Sequence, residues 1–280
     1  MEIPLLHIDA FASEAFRGNP AAVCLLEAPK SADWMQNVAT EMNLPMTAFV
    51  VPRSIAPSPG TNEADLRWFM AEGEMPLCGH ATLASAHALW ETGRLMENQE
   101  ARFHTASGLL ICHRAGKQIE MDFPALPVQE ADLPPAIAEA VGVQPRKVFR
   151  QLRTDGTGGN FLLELDSEEA VRNLSPNFEL LRKAADVGVI VTARGEASGF
   201  DFVSRYFASY IGLDEDSVTG SAHCILAPYW AGVLGKAEMT AYQASARGGV
   251  VGVRFLKKDD GDRVFLGGEA VTVLRGNLLC

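Results

Sequence analysis

Two glycines open apolar stretches in a way that exposes backbone donors. Gly79 begins GHATLASAHALWET and Gly220 begins GSAHCILAPYWA. Small or apolar side chains run around nearly the whole helical circumference of each, which predicts helices buried on all sides rather than laid on a surface. The first turn of a helix has N–H groups without intrahelical partners, and burial forbids leaving them unsatisfied. A glycine there removes the side-chain shield, so a ligand oxygen can approach the amides, and the helix dipole favours negative charge. The chemistry implied is the holding of a carboxylate or enolate, with His80 and Ser221 as polar neighbours of the two helix starts. For a single glycine, a tight turn capped by water is the better account. The doubled pattern favours a site.

The elements that must position these residues also read as doubled. Gly79 and Gly220 stand 141 positions apart, and so do Gly18-Asn19 and Gly159-Asn160, and Gly108 and Gly249. Phe49-Val50-Val51 corresponds to Ile190-Val191-Thr192 at the same spacing, and Arg67-Trp68-Phe69 recurs as Arg205-Tyr206-Phe207 with a slightly shorter one. Such ordered self-similarity predicts two homologous halves. We place them at residues 1–128 and 129–280, with the C-terminal strand free to return to the first half. Pro124 and Pro127 punctuate the junction.

Within each half the pattern is strands, an amphipathic helix, strands, one apolar helix and a hairpin. Ser31 is a good N-cap for a helix carrying Trp34, Val38 and Met42. Its counterpart is expected to start at Ser175-Pro176, with proline at the first helical position. Pro134-Pro135 opens a short helix that Gly142 terminates. Pro228 must kink or shorten the second apolar helix. Residues 52–60 read as a proline-rich exposed connection. Hairpins are expected across Ala115-Gly116-Lys117 and across residues 259–262. Strands and helices do not alternate regularly enough for a doubly wound parallel sheet. The fold class is therefore α+β, in two homologous domains.

Composition narrows the function classes. Hydrophobic residues make up 48% and charged ones 21%, enough apolar surface for a core and little ground for disorder. A net charge of −11 disfavours nucleic acid and anionic lipid as partners. The amino-terminal MEIPLLHIDAF shows no secretory leader, and no apolar run reaches the length of a membrane span, so a cytoplasmic protein is expected. The five cysteines are scattered without a CxxC pair, which argues against a disulfide framework and against zinc. His7, His104 and His113 form no ligand-like cluster, His87 and His223 read as structural, and no metal site is expected.

The motifs GNPAAVC (18–24), NLPMTAFV (43–50), RWF…EMPLCGHAT (67–82), DSVTGSAH (216–223) and RGG (247–249) resemble the phenazine-biosynthesis PhzF-like family over essentially the full chain. The resemblance implies the diaminopimelate-epimerase-like fold, two domains each a curved, mostly antiparallel sheet wrapped around a central apolar helix, and a homodimer. It also implies an isomerase that needs no cofactor and moves a proton along a small carboxylated substrate held between the domains. The family's conserved histidine falls on His80, its aspartate on Asp216 and its serine on Ser221. Gly79, Ala81, Gly220, Ser221 and Asn19 are then the substrate-binding positions. The family's catalytic glutamate sits in an N-L-S-E-T context, which here reads Asn43-Leu44-Pro45-Met46-Thr47. Met46 cannot accept a proton.

Two residues bear on that gap. Glu41 lies on the amphipathic helix and is expected to face water. Cys78 precedes Gly79, where epimerase-like relatives carry a catalytic thiol, and a thiol at a helix start can act as a base; as a small buried hydrophobe it serves packing equally well. Asp216 serves either as a helix cap or as a partner in proton handling, and His80 either as a satisfied core histidine or as a catalytic group. The functional expectation is a cofactor-independent isomerase. Its alternative is a catalytically impaired paralogue or small-anion binding protein.

Overall fold

In a computed structural model, which describes residues 2–53, 62–152, 158–196 and 198–279, the chain divides into two units. The first comprises Met1–Phe123 with Phe265–Cys280, and the second Pro124–Val264. The proline-rich connection expected at 52–60 lies, from 54 onward, outside the described residues.

Unit 1 runs β1 (Glu2–Ala10), β2 (Asn19–Leu25), α1 (Ala32–Met42), β3 (Thr47–Pro52), β4 (Glu63–Met70), β5 (Gly73–Met75), α2 (Gly79–Glu91), β6 (Ala101–Thr105), β7 (Gly108–Ala115) and β8 (Gln118–Pro124). Unit 2 continues with β9 (Val128–Glu130), α3 (Pro135–Val141), β10 (Lys147–Leu152), β11 (Gly158–Glu164), α4 (Glu168–Asn173), α5 (Phe178–Ala184), β12 (Val189–Arg194), β13 (Phe202–Ala208), β14 (Leu213–Asp216), α6 (Gly220–Leu234), β15 (Glu238–Gln243) and β16 (Gly249–Leu256). The chain leaves unit 2 along β17 (Arg263–Gly268), and β18 (Ala270–Leu279) pairs antiparallel with β1.

Strand pairing follows one order in each unit. β2 pairs parallel with β3, β3 antiparallel with β4, β4 antiparallel with β5 and parallel with β6, and β6 antiparallel with β7. In unit 2 the same sequence of pairings links β11, β12, β13, β14, β15 and β16. The class is α+β, with antiparallel pairs outnumbering parallel ones and few helices.

The apolar helices are central, as a helix without a polar face must be. Ten residues of α2 from His80 to Trp90 are buried, and the helix packs on β1, β2 and β3. In α6, Trp230 stacks on Phe202 at 5.6 Å and donates its indole N–H to Thr192 Oγ1 at 3.0 Å. Pro228 neither shortens α6 nor leaves a buried carbonyl stranded. The helix runs to Leu234, and Cys224 O, which a non-proline residue 228 would have engaged, accepts Leu126 N–H at 3.0 Å.

On the other face of unit 1, α1 packs Met35, Val38 and Ala39 against Phe49, Val51 and Phe69. Ser31 caps it by accepting Trp34 N–H. The unit 2 counterpart departs from expectation. Ser167 caps an additional short helix, α4, and Asn177 rather than Ser175 caps α5. Asn177 is fixed by donating its backbone N–H to Ala140 O at the end of α3, a tertiary contact that decides the start position.

One turn bears directly on the site. Between β1 and β2, Phe11, Phe16 and Gly18 take positive φ, and Phe16 N–H donates to buried Asp9 at 2.7 Å. A Cβ on Gly18 (φ +63°) would stand 2.1 Å from Ala10 O. Gly18→Ala is expected to cost about 3 kcal/mol or more, because both the φ and the contact are forbidden and the obstacle is backbone. Urea unfolding of the variant reads this loss.

Candidate active site

The α2 start gathers five of the expected residues: Cys78, Gly79, His80, Ala81 and, from β2, Asn19. Cys78 is the N-cap, in extended conformation and making no side-chain cap, so the amides of Gly79, His80 and Ala81 have no partner inside the helix. The first intrahelical bond is Thr82 N–H to Cys78 O at 3.2 Å. The His80 ring is 6% exposed, and burial drives its pKa from 6.5 down to about 3. The imidazole is therefore neutral at pH 7.

Asn19, the first residue of β2 and wholly buried, donates its amide Nδ2–H to His80 Nδ1 at 3.2 Å. Because an amide nitrogen only donates, Nδ1 is the accepting nitrogen and the ring proton resides on Nε2. Cys78 Sγ lies 3.4 Å from Nδ1 and 3.9 Å from Nε2 of the same ring. This is a neutral hydrogen-bond donor held in one tautomer, with a thiol at its edge and a turn of backbone amides beside it. Ala81 is fully buried and Gly79 half-buried.

Met46 is 5% exposed, in the short connection between α1 and β3, where its carbonyl accepts Ala22 N–H at 3.0 Å. Its side chain offers no proton acceptor. Glu41 is exposed on α1.

In unit 2, Thr219 rather than Asp216 is the N-cap of α6, and its hydroxyl donates to Asp216 Oδ2 at 2.6 Å. Gln243, fully buried on β15, braces this corner. Its Oε1 accepts Thr219 N–H at 2.8 Å, and its Nε2 donates to Asp216 O at 2.8 Å. Gly220 is buried, and Ser221 at the second helical position is exposed. His223 is buried; its Nδ1–H donates to Thr219 O at 2.8 Å, and burial lowers its pKa to about 4. Thr219 and Gln243, which fix the Asp216 corner by these hydrogen bonds, were missed by sequence reasoning. The available signal was a glutamine in the inward-facing register of EMTAYQ.

Among the described residues, no three His, Cys, Asp or Glu side chains cluster as a metal site, and no helix is long and apolar enough to cross a membrane.

Comparison with known proteins gives a consistent set of matches. The family profile of phenazine biosynthesis-like proteins matches residues 8–276. An uncharacterized isomerase of Halalkalibacterium halodurans is 46% identical over 280 residues, covering 100% of this chain and 99% of that protein. The crystal structure of a PhzF family protein from Enterococcus faecalis superposes with a TM-score of 0.88 at 37% identity, covering 100% of both chains. That of a PhzC/PhzF protein from Clostridium difficile gives 0.86 at 40%, covering 99% of this chain and 100% of that one.

Proposed function

The chain belongs to the phenazine biosynthesis-like protein family, and from that membership we propose that it is an isomerase that shifts a proton on a small carboxylated substrate. The observation that carries this reading is the α2 start, where neutral His80, fixed by Asn19, adjoins backbone amides without helical partners. Removing a proton from carbon next to a carboxylate puts charge on the carboxylate oxygens. Preorganised amides and the Nε2–H of His80 are donors suited to that developing charge, a contribution worth several kcal/mol in comparable sites.

Asp216 is the proton-handling group of unit 2, presented by Thr219 and Gln243. Cys78, in contact with His80, is the group that takes over for the family glutamate. Gly79, Ala81, Gly220, Ser221 and Asn19 complete the binding positions.

The test is incubation of the protein with a panel of small 2-amino and β,γ-unsaturated carboxylates in deuterated water, read by mass spectrometry. The expected result is deuterium incorporated at carbon, slowed about 10²-fold or more in His80→Gln. Panel members that bind without ever acquiring label overturn the proton shift. They would support the second reading, a small-anion binding protein, which the apolar side chain of Met46 favours.

A further inference from the structure

An arginine motif recurs in the two units, and among the described residues only that of unit 2 has a third protein partner. On β4, Arg67 donates Nε and Nη2 to the two carboxylate oxygens of Glu74, both at 2.7 Å, and lies over the Phe69 ring at 5.1 Å. On β13, Arg205 does the same to Glu215 at 2.7 and 2.9 Å, over Phe207 at 5.1 Å. Arg205 has one more engagement. Its Nη1 donates to Leu174 O at 2.6 Å and to Val171 O at 3.3 Å, carbonyls at the C-terminal end of α4. α4 lies on β12 and β13 and covers that face of the strands.

Among the described residues, unit 1 has no counterpart of α4. Residues 26–31 join β2 to α1 without a helix. Over β3 and β4 there is instead a cavity of about 380 Å³. Its apolar floor is Met35, Phe49, Val51 and Leu66, and Arg67 lines its wall. Among the described residues, no protein acceptor meets Arg67 Nη1.

The other charged groups leave a cationic surplus. Arg53 is matched by Asp65 at 2.8 Å and His104 by Glu63 at 2.8 Å. Lys30 lies over the Trp34 ring at 5.5 Å and pairs with no carboxylate among the described residues. Glu74 and Asp65 also line the cavity and match Arg67 and Arg53, so in a chain of net charge −11 the charge left over at this wall is the Lys30 ammonium, with Arg67 Nη1 as a further donor suited to an anion.

We propose that unit 1 binds a small carboxylate with a compact apolar body in this cavity. One carboxylate oxygen takes from Arg67 Nη1 the hydrogen bond that Leu174 O takes from Arg205 in unit 2, Lys30 supplies the second charge contact, and the apolar body lies on Phe49 and Met35. The volume sits at the lower end of small-molecule pockets, which fits a single-ring acid and not a peptide helix. None of Asn19, Cys78, Gly79 or His80 lines the cavity, so the site stands apart from the α2 start.

The probe is 4-fluorobenzoate, followed by ¹⁹F NMR on the full chain, with 4-fluorobenzyl alcohol as the uncharged match. The expected result is saturable millimolar binding of the acid and none of the alcohol. Lys30→Met and Arg67→Met should each weaken binding about tenfold, while His80→Gln leaves it unchanged. Lys30 anchors no buried packing, so its variant remains informative if Arg67→Met fails to fold. Absence of saturation by about 10 mM, or affinity unchanged in Lys30→Met, overturns the proposal. Loss in His80→Gln alone also overturns it, by relocating the acid to the α2 start.

Discussion

Lowering the pH from 7 to 5 will remove about 2 kcal/mol of stability from each unit through one buried histidine apiece. His80 in unit 1 and His223 in unit 2 have folded pKa values near 3 and 4, both depressed by burial. An unfolded histidine titrates near 6.5. The folded rings stay neutral where the unfolded ones charge, so below pH 6.5 the unfolded chain takes up protons that the folded chain refuses. Their stabilisation is complete above the unfolded pKa and drains away as pH falls towards the folded values. His87, whose pKa burial also lowers, acts with the same sign. Salt-bridged carboxylates with lowered pKa, such as Glu168 and Glu74, begin to lose their contribution only near pH 4.5, so the window from 7 to 5 isolates the histidines. Guanidinium midpoints at the two pH values check this. His223→Gln should abolish the pH dependence of unit 2 and leave that of unit 1, and equal midpoints at pH 7 and 5 would show the rings to be solvated.

The same burial explains why His80 suits its proposed work. A cationic imidazole at a helix start would oppose the dipole and compete with the amides for the substrate's charge. A neutral ring with its proton placed on Nε2 adds a donor to those amides. Asn19 sets that tautomer, and Asn19 is held by the turn whose Gly18 admits no side chain. A backbone constraint in the turn before β2 is thereby tied to the proton position of a ring on α2.

The helix starts were legible because their cause is local. Glycine followed by an all-round apolar run leaves a buried helix with exposed first-turn amides, and Gly79 and Gly220 are the first residues of α2 and α6. The caps at Ser31 and Gly142 follow from one residue and its own backbone. What stayed hidden depends on partners distant in sequence. Asn177 outranks Ser175-Pro176 as a cap because α3 supplies Ala140 O, and Thr219 outranks Asp216 because Gln243 reaches across from β15. The cavity of unit 1 could not be read at all. It exists because α4 has no equivalent there, and the sequence pattern of unit 2 gave α4 no separate signal from α5.

Replacing Met46 by glutamate will raise the rate of deuterium exchange into a bound carboxylate about 10²-fold, the usual contribution of a positioned general base. Met46 stands where the motif resemblance places the family glutamate, and it is buried, so the new carboxyl enters a water-poor environment that raises its pKa. A base with a raised pKa is stronger when ionised and suits proton abstraction near neutrality. The same burial carries a cost of about 3 kcal/mol at pH 7. With a folded pKa above the unfolded one near 4.3, the penalty is absent at low pH and grows until pH passes the folded value. Met46→Gln has nearly the same shape and polarity but no basicity. It should share part of the stability loss and show none of the gain in exchange. If the unmodified chain already labels its substrate, the glutamate adds a base to chemistry the native residues perform without it. If label appears only in the variant, the native protein binds its anion without transforming it. Exchange equal in a folded Met46→Glu and in Met46→Gln would mean that position 46 does not face the reacting carbon.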